Sequence, residues 1–225
     1  MNIQKRALTI ALSVVTGSAM GAEFDGPFAQ FGVGGARSYT NLSGTRNGIL
    51  DGSSSQGNVN GLVVGGYSRA IGQSGFNLAG NLFYIIGNQN AGAPNNTVVG
   101  TNGSSSASTS STFSNSFGIA LEPGWYVTER TLGYAKLAWV NANGEFRSSS
   151  TRTTLVPALT VAEDTVANKN MNGFGYGLGL KQSITQDIYL GIDIMGVAYN
   201  SSKTSRGATI RPEQFMGFMS LGYRF

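Results

Sequence analysis

Covalent catalysis by a hydroxyl needs a base beside it, and this sequence contains no histidine and no cysteine. A Ser–His pair cannot be assembled, so its many serines stay weak nucleophiles. Without cysteine there is also no disulfide framework and no thiolate metal site. Glu163 and Asp164 stand side by side and are the best carboxylates for an acid–base hydrolase. Two adjacent acids in a polar stretch are ordinarily a solvated surface pair. The run "GFGYGLG" places glycines at 173, 175, 177 and 179 and invites comparison with a dinucleotide-binding loop. That loop needs a strand, a tight turn and a helix. Here the period of two simply continues, so the glycines form a bare stripe along a strand, leaving room for larger residues from across an interior. Five charges remain, Glu122, Lys136, Lys181, Asp193 and Arg224, each in a segment that alternates between greasy and small or polar residues. No catalytic residue, cofactor or metal is expected from this set.

The elements that carry those charges are strands. No helical period persists after the first two dozen residues. Eight strand-like segments recur instead, over 28–39, 59–69, 76–86, 113–125, 131–140, 173–182, 188–199 and 216–225. The connections alternate in length. After the second, fourth and sixth segments they are "AIGQSG", "YVTER" and "SITQD"; after the first, third, fifth and seventh they run to about 19, 26, 32 and 15 residues. The second long connection, which includes the Ser/Thr-rich stretch 104–111, reads as an open flexible loop. Compact soluble domains seldom carry four long loops. Short turns on one side and long loops on the other, with about 10 residues per strand, are what a transmembrane barrel needs.

Side chains alternate across a strand. The third segment sets Phe76, Leu78, Leu82, Tyr84 and Ile86 against Asn77, Ala79 and Asn81. The fourth sets Phe113, Phe117, Ile119 and Leu121 against Ser114, Ser116, Gly118, Ala120 and Glu122. The seventh sets Ile188, Leu190, Ile192 and Ile194 against Tyr189, Gly191 and Asp193. Turned inward, eight greasy rows would overfill a barrel of this size, so they face lipid and the polar rows face the lumen. The second segment has no clearly polar face. Aromatic residues gather at strand ends: Tyr39, Tyr84, Phe113, Trp139, Phe174 and Phe215 beside the long loops, and Phe76, Trp125, Tyr126, Tyr223 and Phe225 at the other end. They read as the two girdles of a membrane barrel.

The five charges then line the lumen. Glu122 and Lys136 sit on neighbouring strands around one short turn, within reach of each other. A buried charge without a partner costs several kcal/mol, so pairing is expected. The network reads either as a plug holding a filled lumen together or as an ion path or gate.

Residues 1–22 have the form of a secretory signal: Lys5 and Arg6, an apolar core from Ala7 to Val15, and the small residues of "SAMGA". Cleavage falls after Gly21 or Ala22, leaving 23–225 as one barrel domain. Without Lys5 and Arg6 the formal net charge of +4 drops to near +2 with no basic block. A nucleic-acid partner is therefore not expected.

The terminal "MGFMSLGYRF" puts Phe215, Met219, Leu221, Tyr223 and Phe225 on one face. Together with the internal piece "EPGWYVTERTLGYAKLAW", it resembles the small eight-stranded outer-membrane β-barrel family, the OmpA/OmpX-like and opacity-protein-like group often labelled porin family. The resemblance implies an all-β, antiparallel up-and-down barrel in the bacterial outer membrane, in contact with its lipid and lipopolysaccharide. It also implies that Leu221, Tyr223 and Phe225 form the signal read by the barrel-assembly machinery after delivery by periplasmic chaperones. Enzymes of loosely similar architecture in that membrane depend on a histidine, which is missing here. The expectation is a non-enzymatic barrel with a largely filled lumen, displaying four extracellular loops for membrane integrity or surface interaction. The alternative is a narrow porin-like channel for small solutes or ions. Scattered loop cations, Arg46, Arg147, Arg152, Lys203 and Arg206, offer charge for lipopolysaccharide phosphates or a host surface, although each taken singly reads as an ordinary solvated loop residue. No loop ligand is named by the sequence.

Overall fold

The computed structural model of the chain describes residues 23–43, 52–91, 95–100, 103–155, 158–203 and 209–225. The expected signal segment 1–22, Arg46 and Arg206 lie outside the described residues. The described chain is all β: β1 (Gly26–Ser43), β2 (Gly52–Ile71), β3 (Phe76–Ile86), β4 (Gln89–Ala91), β5 (Asn95–Gly100), β6 (Gly103–Thr128), β7 (Thr131–Leu155), β8 (Ala158–Ser183), β9 (Ile188–Tyr199), β10 (Ser202–Lys203) and β11 (Thr209–Arg224). The long strands follow one another antiparallel in the order β1, β2, β3, β6, β7, β8, β9 and β11. Pairing of β1 with β11, from Phe28↔Arg224 to Ser43↔Thr209, closes the ring. Closure leaves no open edge in the eight-strand ring, which is the condition for crossing a membrane with strands.

The faces divide as alternation requires. On β9, Leu190, Ile192 and Ile194 are exposed while Tyr189, Asp193, Met195 and Val197 are buried; on β11, Phe215, Met219, Leu221 and Tyr223 are exposed while Met216, Phe218 and Ser220 are buried. A globular protein would not leave a continuous band of such residues in water. Here the outside is the apolar side. The second strand, indistinct in sequence, turns Asn60, Leu62, Val64 and Ser68 inward.

Phe113 and Tyr126 are not girdle residues. Both are buried inside the barrel. The β6/β7 register shifts between Ser114 and Phe117, and Asn115 has a φ of 52°, a conformation asparagine tolerates better than most residues. This β-bulge reverses the inside–outside phase, so Phe113 points inward although Phe117, Ile119 and Leu121 point outward. The bulged Asn115 accepts a hydrogen bond from Tyr84 Oη on the outer surface (2.8 Å).

The stretch 104–111 is a paired strand and not an open loop. Ser104 pairs with Val99 of β5 on one side and with Thr153 of β7 on the other. Backbone N–H and C=O groups need partners, and continuing the ladder supplies them without any apolar side chain. The same holds for the long connection expected over 141–172. The β7/β8 ladder runs unbroken from Thr131↔Gln182 to Leu155↔Ala158. With 25 and 26 residues, these strands are more than twice the roughly 10 residues a tilted strand needs to cross a bilayer. Glu163 and Asp164 lie on this outer ribbon and are exposed.

Candidate functional site

The inner wall is built by three devices. The first is the pairing of glycines with aromatics on adjacent strands. Tyr134 stands opposite Gly179, Tyr189 opposite Gly222, Phe83 opposite Gly118 and Phe28 opposite Gly66. In each pair the ring lies over the glycine: a Cβ added at Gly179 would fall 2.3 Å from Tyr134 Cζ, and one at Gly222 2.0 Å from Tyr189 Cζ. Glycine thus admits a large ring from the neighbouring strand rather than from across the lumen, and the ring covers the bare backbone.

The second device is a charge network. Lys136 Nζ lies 3.1 Å from Glu122 Oε1 and 2.8 Å from Asp193 Oδ1, and Lys181 Nζ lies 2.7 Å from Glu122 Oε2. The β6/β7 ladder runs through Leu121↔Leu137 and Gly124↔Tyr134, which sets Glu122 and Lys136 side by side. Lys181 comes from β8 and Asp193 from β9; alternation turns all four charges inward, and the registers of four consecutive strands bring them together. Two carboxylates and two ammonium groups balance. Tyr134 Oη donates to Asp193 Oδ1. Lys181 Nζ also sits over the rings of Tyr134 (4.6 Å) and Phe28 (4.8 Å).

The network extends beyond the charged residues to β1 and β11. Gln30 of β1 donates through Nε2 to Ser220 Oγ of β11 (2.7 Å) and to Asp193 Oδ2 (3.4 Å), and it accepts from Tyr189 Oη (3.2 Å). Gln30 was legible only as an even-numbered polar residue in "FAQFGVGG"; which charge it meets depends on closure of β1 against β11. Arg224 does not join this network. Its guanidinium lies 5.2 Å over the Phe24 ring and donates to the carbonyl of Gln186.

Phe24 belongs to the third device, a pair of aromatic layers. At the short-turn end its ring contacts Tyr126 (5.9 Å) and Tyr189 (5.7 Å), and its N–H donates to Tyr126 Oη (2.9 Å). Glu23 and Asp25 tie the same segment down: Glu23 Oε1 accepts from Ser183 Oγ (2.8 Å) and Asp25 Oδ1 from Ala70 N. At the long-hairpin end Phe113 stacks on Tyr199 (5.3 Å, 9° between planes) and meets Phe146 edge-on (6.3 Å). Tyr199 Oη donates to Gln214 Oε1 (2.9 Å), whose Nε2 donates to Ser38 Oγ (3.3 Å). Asn81 and Gln89 are buried, and neither the oxygen nor the nitrogen of either side-chain amide has a hydrogen-bond partner among the described residues.

Among the loop cations, Arg147 pairs with Glu145 (2.5 Å) and Arg152 is exposed. Leu221, Tyr223 and Phe225 all face outward, and Tyr223 and Phe225 meet edge-on at 5.1 Å.

A closed barrel that turns its apolar residues outward and pairs its charges inside is the architecture of bacterial outer-membrane proteins. No protein-family model and no curated protein matches the chain. Solved structures do overlay on it. The attachment invasion locus protein Ail of Yersinia pestis is 12% identical, with 89% of this chain and 99% of that one covered at a TM-score of 0.42. Neisserial surface protein A is 10% identical, with 87% and 97% covered at 0.39. The outer membrane protease OmpT of Escherichia coli is 10% identical, with 91% and 98% covered at 0.32.

Proposed function

We infer that this outer-membrane barrel is non-enzymatic and non-conducting, and that it serves as a rigid anchor for the long β6–β7–β8 ribbon outside the cell, where it supports membrane integrity or surface interaction. Short turns face the periplasm and long connections the exterior in such barrels. The observation that carries the reading is the lumen. Glu122, Asp193, Lys136 and Lys181 neutralise one another at 2.7 to 3.1 Å, and aromatic layers at Phe24 and Phe113 stand at either end. A site that pairs its charges with each other has none left to coordinate a passing ion.

Planar-bilayer recording tests this reading. The purified barrel is expected to show no steady conductance. A stable conductance whose ion selectivity changes in Lys136→Ala would overturn the filled lumen in favour of a narrow channel. One observation favours that second reading: the buried amides of Asn81 and Gln89 lack partners among the described residues, and ordered water is what commonly satisfies such groups.

A further inference from the structure

The segment "EPGWYVTERTLGYAKLAW" sends Tyr134 and Lys136 into the lumen, but its alternate residues point the other way. Pro123 on β6 and Gly133 and Ala135 on β7 form a low floor on the outer wall. Pro123 has no N–H to give, and the β6/β7 ladder passes from Leu121↔Leu137 directly to Gly124↔Tyr134. Bulky neighbours stand round this floor, Trp125 on one side and Leu178 and Leu180 on the other. They flank an apolar groove of about 570 Å³ on the outer wall.

The groove has a polar end. Two residues beyond Gly133, Thr131 Oγ1 accepts from Thr128 Oγ1 and donates to Gln182 Oε1, each at 2.7 Å. Arg130, in the turn between β6 and β7, is exposed and enters no ion pair among the described residues. Glu129 beside it is also exposed. Three residues of strand span about 10 Å, so the Arg130 stem can lie along the wall with its head at the interface below the groove.

We propose that this groove holds one acyl chain of an anionic phospholipid of the periplasmic leaflet, with the lipid phosphate on Arg130. The occupant follows from the two ends together. Acyl chains are the medium that bathes this wall, and the single cation of the turn stands at the end where a periplasmic-leaflet headgroup must lie. The assignment rests on the membrane orientation inferred above. Filling the groove is sterically open, since a Cβ on Gly133 would sit 3.4 Å from Val127 Cγ2 and 3.5 Å from Leu180 Cδ2.

The chain's two tryptophans, Trp125 in the groove wall and Trp139 on the outer face of β7 nearer the long hairpins, make the test direct. Barrel carrying Trp139→Phe is purified in detergent and titrated with phosphatidylglycerol bearing brominated acyl chains. Quenching of Trp125 is expected to saturate at a low lipid ratio. Gly133→Leu, or Ala135→Leu alone, should abolish the saturable part. Arg130→Gln should weaken phosphatidylglycerol about fivefold and phosphatidylcholine less, because choline offsets the charge of its phosphate. Quenching that only rises in proportion to lipid, equally in all variants, would overturn the proposal. So would a concentration-dependent dimer in sedimentation that shields Trp125, because the occupant would then be a second copy. Trp125→Phe in brominated bilayers reports on Trp139 separately. If Trp139 also goes unquenched, the membrane placement fails; if it is quenched, only the groove does.

Discussion

Tyr134 fills the space over Gly179, its partner across the β7/β8 ladder, so that a Cβ at Gly179 would fall 2.3 Å from the ring. The tyrosine cannot simply turn aside, because its hydroxyl is held by Asp193. Gly179→Ala is therefore expected to destabilise the barrel by about 1–3 kcal/mol through overpacking. Gly133→Ala, on the outer face of the neighbouring strand, should stay within about 0.5 kcal/mol. Urea unfolding in lipid or detergent measures both.

Lys136 bridges both carboxylates, whereas Lys181 touches only Glu122. Removing Lys136 leaves Glu122 with Lys181 but leaves Asp193 with only the neutral donors Tyr134 and Gln30. Lys136→Ala is expected to cost about 3–5 kcal/mol, the range for breaking a buried pair. Lys181→Ala should cost less. Adding Asp193→Asn to Lys136→Ala should recover part of the loss, and a double-mutant cycle measures the coupling. Additive small effects would show that water, and not the ion pairs, solvates these groups.

Phe225 is 76% exposed, and its ring meets that of Tyr223 in an edge-to-face contact. Its side chain therefore adds little to folded stability. If it acts as an assembly signal, Phe225→Ala should lower the amount in the outer membrane several-fold while protein refolded in vitro unfolds within about 1 kcal/mol of the parent. Fractionation and urea unfolding give the two readouts. An equal loss in both would assign Phe225 to packing.

Phe24 is buried beneath Tyr126, Tyr189 and Arg224. Phe24→Ala is expected to cost about 3 kcal/mol, the low end for a core phenylalanine, because the short-turn mouth allows water to take the space. It should speed amide exchange near Tyr126 and Tyr189. The bilayer should stay sealed, since the charge network and the Phe113 layer lie above it. Steady conductance from this variant alone would make the Phe24 segment the sole closure.

The number of barrel strands, their direction, the lipid-facing rows and the inward face of Glu122, Lys136, Lys181 and Asp193 were written in a period of two and in the lengths of the connections. That period survives in sequence because each strand of a membrane barrel meets lipid on one side and the lumen on the other. Three matters lay beyond it. The bulge at Asn115 shifts phase without leaving a gap in the residue pattern, so Phe113 read as lipid-facing. The polar stretches 104–111, 141–155 and 158–170 carry no sustained apolar alternation, yet they pair as strands, because a ladder of backbone hydrogen bonds needs no greasy face. The sharing of Lys136 between two acids, the reach of Gln30 to Asp193 and the capture of Phe24 under Arg224 depend on which strands meet when β1 closes on β11. Alternation says which way a side chain points, but only closure, tilt and register decide what stands opposite it.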